Sequence, residues 1–341
     1  MRFEYYRAGL EDVPKLSVDG LVPNSVHFSH WQGNETPAAV KADSSTEIAL
    51  NVVASPARDE LTRGIELVTN NHFDTDGVLS VWTMLTGERA LDLRAALVAA
   101  AEAGDFSANT GAQSIRASLV LQGGDGFMPD AGVASPLARQ LAGGADVDEA
   151  RAYALVLPEV ERVVARTGDY EHLWRDEWER IELSLESFAS GASRVTEDAA
   201  TGLSVVTLSR DLYGARGFSP TRHAAPYTAI TEHARGRLYL IAVPLDKAWG
   251  YRVDYPYYSW AETVARPPVT RLDFAPVVAA LDELEQNREG LWQLDTEGLS
   301  SAFNFTDGAG LLRASSLAPD EVAGHLRAAL GREAQSSVAV S

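Results

Sequence analysis

One histidine and two aspartates stand close together in the segment NNHFDTDGVLSVW, residues 70–82. His72, Asp74 and Asp76 alternate with other residues, so in an extended loop their side chains can turn toward one ion or ion pair. An imidazole and two carboxylates suit Mn²⁺, Mg²⁺, Fe²⁺ or Zn²⁺, and Gly77 permits a tight turn directly afterwards. The spacing predicts a metal-binding loop; a calcium-type or purely structural Asp loop is the alternative.

The flanking residues predict elements that would carry this loop. The apolar run Ile65 to Thr69 predicts a buried strand, and apolar residues after Gly77 predict a helix that begins near it. A strand that delivers polar residues to a helix N-terminus is the usual geometry of an α/β active site. Upstream, PKLSVDG and SVHFSHW predict strands that stop at Asp19 and near His30.

A further N-terminus is predicted in SSTEIALNVVA, where Ser44 or Ser45 would be the N-cap of a helix. The backbone N–H groups at such an end attract anions. Three more helical segments follow, ALDLRAALVAAAEAGDF, DEARAYALVLPEVERVVAR and EHLWRDEWERIELSLESFASG. From about residue 195, short alternating segments predict an antiparallel sheet with two helices.

These patterns predict an α/β fold with a mainly parallel sheet flanked by helices and a smaller α+β domain at the C-terminus. The predicted domains are residues 1–190 and 191–341. No secretion signal or membrane-spanning run is evident, so a cytoplasmic protein without membrane contact is expected. A homodimer is compatible with the sequence.

Composition narrows the chemistry. The chain has 48 Asp and Glu against 29 Lys and Arg, a formal charge of −19, which argues against long nucleic acid as a partner. A small anionic substrate held by metal ions and a few arginines is still allowed. Because there is no cysteine, thiolate nucleophiles, disulfides and Cys-ligated metals are excluded, and any metal must use histidines and carboxylates.

Two stretches resemble motifs of the DHH phosphoesterase superfamily. NNHFDTDGVLSVW is similar to its first motif, His-x-Asp-x-Asp-Gly followed by a small residue on a helix. LSVDGLVPNSVHFSHWQGN, followed by SSTEIAL, is similar to its strand-end aspartate, its Asp-His-His triplet and its Ser-Ser-Thr helix start. On this resemblance Asp19 matches the bridging aspartate, His30 the first histidine of the triplet, and Asp105 in EAGDF the last metal-binding aspartate.

The chain departs from that pattern in three ways. Ser29 stands where the triplet has Asp, and Trp31 stands where it has its second His. The triplet region also precedes the His-x-Asp-x-Asp motif, which requires a circular permutation. The whole chain additionally resembles a bacterial protein family without an assigned activity.

The resemblance implies two divalent ions, with Mn²⁺ expected first and Fe²⁺, Zn²⁺ or Mg²⁺ as alternatives. His72 and Asp74 would hold one ion and His30 and Asp76 the other, with Asp19 between them. Asp105 is expected to be a further metal ligand, and Asp74, Asp76 and His30 are expected to be catalytic residues. The residues expected to bind substrate are Asn71, Ser45, Thr46, Arg222 and His223.

The implied activity is hydrolysis of a small phosphoester, phosphodiester or phosphoanhydride by metal-activated water. One alternative keeps the metal but changes the chemistry, to an iron oxygenase or an amide hydrolase. Another is a non-catalytic binding protein descended from a phosphoesterase, motivated by Ser29 and Trp31. His27 is expected to lie outside the metal ligands, because residues three apart on a regular strand point to opposite faces.

Overall fold

The computed structural model describes residues 1–124, 132–213, 225–245, 248–296 and 298–338. The chain divides into two compact units. The first unit comprises Met1–Trp178 and Trp260–Pro268, and the second comprises Glu179–Ser259 and Val269–Ser341. The division therefore falls before residue 190, and the segment Trp260–Pro268, expected in the C-terminal domain, belongs to the first unit.

The first unit contains a four-stranded sheet in which all described pairings are parallel. Its strands are β1 (Arg2–Phe3), β2 (Lys15–Val18), β3 (Val26–Phe28) and β4 (Leu67–Thr69). They lie in the order β1-β4-β2-β3. Every residue of β2 and β4 is buried, which is typical of a parallel sheet covered on both faces.

Helices form the rest of this unit. They are α1 (Ser45–Ala54), α2 (Arg58–Leu61), α3 (Thr75–Thr86), α4 (Arg94–Asp105), α5 (Ala112–Gln122), α6 (Pro136–Leu141), α7 (Glu149–Val156), α8 (Val160–Ala165) and α9 (Glu171–Ala189), whose C-terminal half lies in the second unit. The sequence predicted one helix over α7 and α8. A 3₁₀ turn at Leu157–Glu159 separates them, because Pro158 lacks the N–H that a continuous helix needs.

Two helix starts bear directly on the predicted site. Ser44 is the N-cap of α1, as one of the two predicted alternatives, and its side chain accepts a hydrogen bond from the Glu47 N–H. α3 begins at Thr75, before the predicted start near Gly77. The reason is that the Asp74 carboxylate accepts the Gly77 N–H at 2.7 Å and so acts as N-cap.

The second unit contains a six-stranded sheet in the order β5-β6-β7-β8-β10-β9. Its elements are β5 (Arg194–Asp198), β6 (Leu203–Thr207), α10 (Tyr227–His233), β7 (Leu238–Leu245), β8 (Ala248–Asp254), α11 (Ala275–Leu284), β9 (Leu291–Leu294), β10 (Ser301–Thr306) and α12 (Pro319–Val338). The prediction of a wholly antiparallel sheet is wrong at one pairing, since β6 and β7 are parallel. The long connection between them, which includes α10, provides the crossover that a parallel pair requires.

The second sheet separates two apolar clusters. Leu240, Tyr251 and Phe303 belong to the cluster on one face, while Ile241 and Val243 belong to the other. Side chains alternate along a strand, so neighbouring residues of β7 face opposite clusters. No helix among the described residues has the length and apolar character needed to cross a bilayer.

A buried lysine secures the start of β2. The Lys15 ammonium donates to the carbonyl oxygens of Glu11, Val13 and Asn24 at 2.9, 3.3 and 3.0 Å. These carbonyls lie in the loops on either side of β2, so one side chain ties both loops to the strand.

We predict that Lys15→Met lowers the free energy of unfolding by about 1–3 kcal/mol, because carbonyl oxygens would remain without their donor. Chemical denaturation monitored by circular dichroism measures this change. Arg7→Met is the matched control, since the Arg7 side chain is exposed and contacts only Glu4 among the described ion pairs. Equal stabilities for the two variants would contradict the role assigned to Lys15.

Candidate metal centre

Three neighbouring strands place polar residues at one edge of the parallel sheet. Asp19 directly follows β2, His30 follows β3, and His72 follows β4. The carboxyl ends of parallel strands meet at the same edge, and β4, β2 and β3 are adjacent. Asp76 enters from the first turn of α3 and Asp105 from the last residue of α4.

The ligand atoms of these residues form two groups within 4.8 Å. One group contains Asp19, His30, Asp76 and Asp105, and the other contains Asp19, His72 and Asp74. The structure thus brings together all six side chains that the sequence suggested as metal ligands. Asp19 is common to both groups.

The two groups differ in exposure. His30 Nε2 lies 3.3 Å from Asp19 Oδ1 and 3.2 Å from Asp105 Oδ2, in a fully buried setting. His72 Nε2 lies 2.8 Å from Asp19 Oδ2 and 3.1 Å from Asp74 Oδ2, and the side chains of His72 and Asp74 are 24% and 28% exposed. The second group is therefore the one that solvent can reach.

Buried polar atoms without hydrogen-bond partners test whether a metal fits. Within the described residues, both oxygens of Asp19, Nε2 of His30 and His72, and Oδ2 of Asp105 are buried and lack such a partner. The contacts among them are short, yet their geometry is not that of hydrogen bonds. Leaving buried polar atoms unsatisfied is costly and uncommon. Cations among these atoms would satisfy them together, so the residues could hold a metal.

The pKa values of the clustered side chains also favour a bound cation. Burial alone would lower the pKa of His72, but the carboxylates of Asp74 and Asp19 outweigh it and raise that pKa to about 12. Burial and the charge of Asp19 raise the pKa of Asp76 to about 6. Burial and the charges of Asp74 and Asp76 hold the pKa of Asp105 well above its usual range. Without a cation the cluster retains protons that a bound metal would replace.

Each histidine is oriented through its other ring nitrogen. His30 Nδ1 lies 2.6 Å from the Asp43 carbonyl oxygen, and His72 Nδ1 lies 3.2 Å from the Asn71 side-chain oxygen. If Nδ1 carries the proton and donates to these acceptors, Nε2 keeps its lone pair toward the carboxylates. The side chain of Asn71, which was expected to bind substrate, contacts His72.

The N-terminus of α1 binds an anion that belongs to the protein. The Ser45 N–H donates to Asp76 Oδ2 and the Thr46 N–H to Asp76 Oδ1, both at 2.7 Å. The expectation that Ser45 and Thr46 bind substrate is therefore corrected, because their amides are engaged with Asp76 and both residues are fully buried. The positive end of the helix dipole stabilises this buried carboxylate.

Several residues shape the backbone around the cluster, and of these Tyr153 was missed from the sequence. Asp19 has φ of +65°, a left-handed conformation, and the Ser29 hydroxyl donates to its carbonyl oxygen. The Tyr153 hydroxyl donates to the His72 carbonyl oxygen at 3.0 Å. A Cβ at Gly20 would lie 2.0 Å from the Asn71 side-chain oxygen, so a larger residue there would displace the Asn71 side chain. The Asp-Gly pair is the one signal that pointed to this turn.

Aromatic side chains border the cluster. The Trp31 ring lies 5.2 Å from the His72 ring, and the Trp260 ring meets the His30 ring edge-on at 4.9 Å. Trp260 is remote in sequence, and no local pattern indicated it. Such rings limit the access of water to the buried ligands.

The remaining predicted residues lie elsewhere. His27 is outside both ligand groups, as expected, and its ring nitrogens contact the Val22 carbonyl and the Glu35 N–H. Arg222 and His223 lie outside the described residues.

The fold and the site define an α/β protein with a buried histidine and aspartate cluster that could hold a metal. A family model matches residues 2–335. The chain belongs to this family, DUF6687, a family of unknown function. No curated protein matches the chain.

We predict that the metal-free protein, kept in chelator, loses stability to unfolding as pH rises from 6.5 to 9. Folding raises the pKa of His72 from 6.5 to about 12. The stability that the protonated His72 gives to the fold is therefore complete below pH 6.5. It falls at higher pH, because the folded chain keeps this proton and the unfolded chain loses it. The expected slope is up to about 1.4 kcal/mol per pH unit for each such proton.

Urea unfolding in chelator across this pH range measures the effect. His72→Asn should reduce the slope, whereas His172→Asn, at an exposed histidine outside the cluster, should leave it unchanged. A flat profile in the unsubstituted protein would contradict the charge balance inferred for the cluster.

Proposed function

We propose that the protein is a metal-dependent hydrolase with two metal ions, acting on a small phosphoester, phosphodiester or phosphoanhydride. One observation carries the proposal: the two ligand groups share the Asp19 carboxylate. A carboxylate that offers one oxygen to each histidine is placed to bridge two ions. Dinuclear sites of this kind are common among phosphoester hydrolases.

The ligands divide between two positions. His30, Asp76 and Asp105 would hold one ion, and His72 and Asp74 the other, with Asp19 common to both. When bound, two such ions would lower the pKa of an attacking water and neutralise charge at phosphorus. We propose Mn²⁺ as the natural metal, because it accepts this mixture of imidazole and carboxylate ligands.

The exposed side of the cluster is where substrate would enter. His72 and Asp74 are the ligands that solvent reaches, and Trp31 borders His72. The indole of Trp31 can donate a hydrogen bond but cannot serve as an acid or base near neutral pH. Proton transfer to a leaving group must therefore use another group or solvent.

The arrangement supports a DHH-like interpretation, in which the His-x-Asp-x-Asp motif, the strand-end Asp19 and the triplet's first histidine, His30, converge. The net charge of −19 disfavours long nucleic acids, because their phosphates would meet repulsion over a wide area. A small phosphorylated substrate needs only the local positive charge that the metals supply. We therefore favour a nucleotide, short oligonucleotide or polyphosphate.

We predict that the protein purified without chelator or histidine tag and supplied with Mn²⁺ holds about two ions per chain. Asp74→Asn should retain about one, because only the exposed group loses a ligand, and Asp19→Asn should retain almost none. Plasma mass spectrometry after desalting gives these stoichiometries. Asparagine also serves as an N-cap, so Asp74→Asn preserves the start of α3.

Asp254→Asn is the matched control, because Asp254 is a fully buried aspartate of the second unit. It should bind as much metal as the unsubstituted chain. Equal metal loss in Asp19→Asn and Asp254→Asn would indicate a folding defect. A chain that binds no metal even with added Mn²⁺ would favour the non-catalytic alternative.

We predict hydrolysis of at least one member of a panel of phosphomonoesters, phosphodiesters and phosphoanhydrides with Mn²⁺ present. Asp19→Asn should lower kcat/KM by at least about 100-fold, because both ions lose a shared ligand. Phosphate release and chromatography of the products measure the reaction. Asp59→Asn, on the exposed face of α2, should leave the rate unchanged.

A metal-loaded protein that is inactive across the whole panel would contradict phosphoester hydrolysis. Copurified iron with a visible absorption band would instead favour oxygen activation, and activity on amides would favour amide hydrolysis.

A further inference from the structure

The segment Trp260–Pro268, here called the strap, belongs to the first unit although the chain on both sides of it belongs to the second. Its backbone joins the loop that carries His30. The Glu262 N–H donates to the His30 carbonyl oxygen at 2.7 Å, and Ala261 forms an antiparallel bridge with Trp31. The strap is thus attached to the backbone of the loop at His30 and Trp31.

Asp43 connects the strap to the His30 ring. Its Oδ1 accepts the N–H groups of Val264 and Ala265 at 2.5 and 2.7 Å. Its Oδ2 accepts the Arg266 N–H at 3.2 Å and the guanidinium at 2.8 Å. Its carbonyl oxygen lies 2.6 Å from His30 Nδ1. One residue therefore binds the strap through its side chain and the candidate metal ligand through its backbone.

The strap also contacts the element that carries Asp105. The Arg266 guanidinium lies 4.5 Å above the Phe106 ring and pairs with Glu102 at 3.1 Å. Phe106 immediately follows Asp105, and Glu102 lies one turn earlier on α4. Two members of the buried ligand group, His30 and Asp105, therefore have neighbours that the strap holds.

We propose that the strap is a positioning element for the buried metal position and that Asp43 is its positioning residue. The inference rests on the metal site of the proposed function but not on the reaction. His30 offers a single nitrogen to the cluster, so rotation of its ring would remove that ligand. Asp43 fixes the ring through Nδ1, and Asp43 is itself held by three N–H groups and a guanidinium of the strap.

Simple packing is the competing explanation, and it makes a different prediction. If the strap only stabilised the fold, changing Asp43 would alter unfolding of the metal-free chain and leave metal affinity alone. A positioning role alters affinity at the buried group directly. Residues that orient a metal ligand typically contribute about 10- to 100-fold to metal affinity. The dissociation constant is therefore expected to change by about this factor.

The experiment uses the full chain carrying Asp74→Asn, so that the buried group alone is expected to bind. The Mn²⁺ dissociation constant is measured by competition with a chelating dye, beside urea unfolding in chelator. Adding Asp43→Asn should raise the dissociation constant about 10- to 100-fold, because the weakened strap contacts free the His30 ring.

Glu262→Gln in the same background is the matched control. The Glu262 carboxylate of the same strap accepts hydrogen bonds from the Asn34 side-chain amide at 2.8 Å and from the Lys41 ammonium at 2.9 Å. Neither bond involves Asp43. This substitution should change the dissociation constant less than about twofold, since its backbone bond to His30 is kept. Should Asp43→Asn not fold, Arg266→Gln provides a second variant with a smaller shift in the same direction.

An unchanged dissociation constant in both Asp43→Asn and Arg266→Gln would overturn the proposal, and so would equal shifts in the Glu262→Gln control. Absence of Mn²⁺ binding in the Asp74→Asn parent would overturn the metal site and the strap's role together. The Mn²⁺ affinities are measured without substrate. If they change as expected and the protein still hydrolyses nothing, only the proposed reaction is contradicted and the role of the strap stands.

Discussion

The structure depends on the concentration of negative charge around Asp19. Four aspartates, Asp19, Asp74, Asp76 and Asp105, converge on two imidazoles, and of these six side chains only His72 and Asp74 are partly exposed. Such a set repels itself unless protons, cations or dipoles compensate it. The protein supplies part of that compensation through the N-terminus of α1, which donates two N–H groups to Asp76. The remaining demand for positive charge is what makes the cluster suited to metal ions.

Two glycines beside the cluster leave room for neighbouring side chains. Asp19 sits in a left-handed turn, and a side chain at Gly20 would overlap Asn71. A Cβ at Gly77 would lie 2.5 Å from the Asn70 side-chain nitrogen and 2.6 Å from the Tyr153 hydroxyl. These glycines allow the β2 and β4 loops to converge near the cluster. Backbone strain at Asp19 is stored where function is proposed, as is common at ligand-binding positions.

Local patterns predicted His72, Asp74 and Asp76 as metal ligands, whereas Asp19, His30 and Asp105 were expected only from the resemblance to the DHH superfamily. A short strand, a polar loop and a helix start are each encoded within about ten residues, and parallel pairing brings the strand ends together. Asp43 and Trp260 were missed because their roles depend on contacts far apart in the chain. The use of the α1 N-terminus was misassigned for the same reason: the pattern showed an anion site, but only the tertiary structure showed that Asp76 occupies it. Parallel pairing of β6 with β7 likewise depends on a long connection rather than on strand composition.

Ser29 and Trp31 are the two positions at which the chain differs from the triplet of the proposed DHH resemblance. Ser29 stands where the triplet of the proposed resemblance has a carboxylate, and its hydroxyl donates to the Asp19 carbonyl oxygen and so supports the turn that presents Asp19. A serine there adds no charge to a site already crowded with carboxylates. Trp31 stands where that triplet has its second histidine, and its ring packs beside His72 and Trp260. On the proposed resemblance, both differences leave the six converging side chains in place and change the residues around them, so the proposed metal site does not depend on the triplet's aspartate or second histidine.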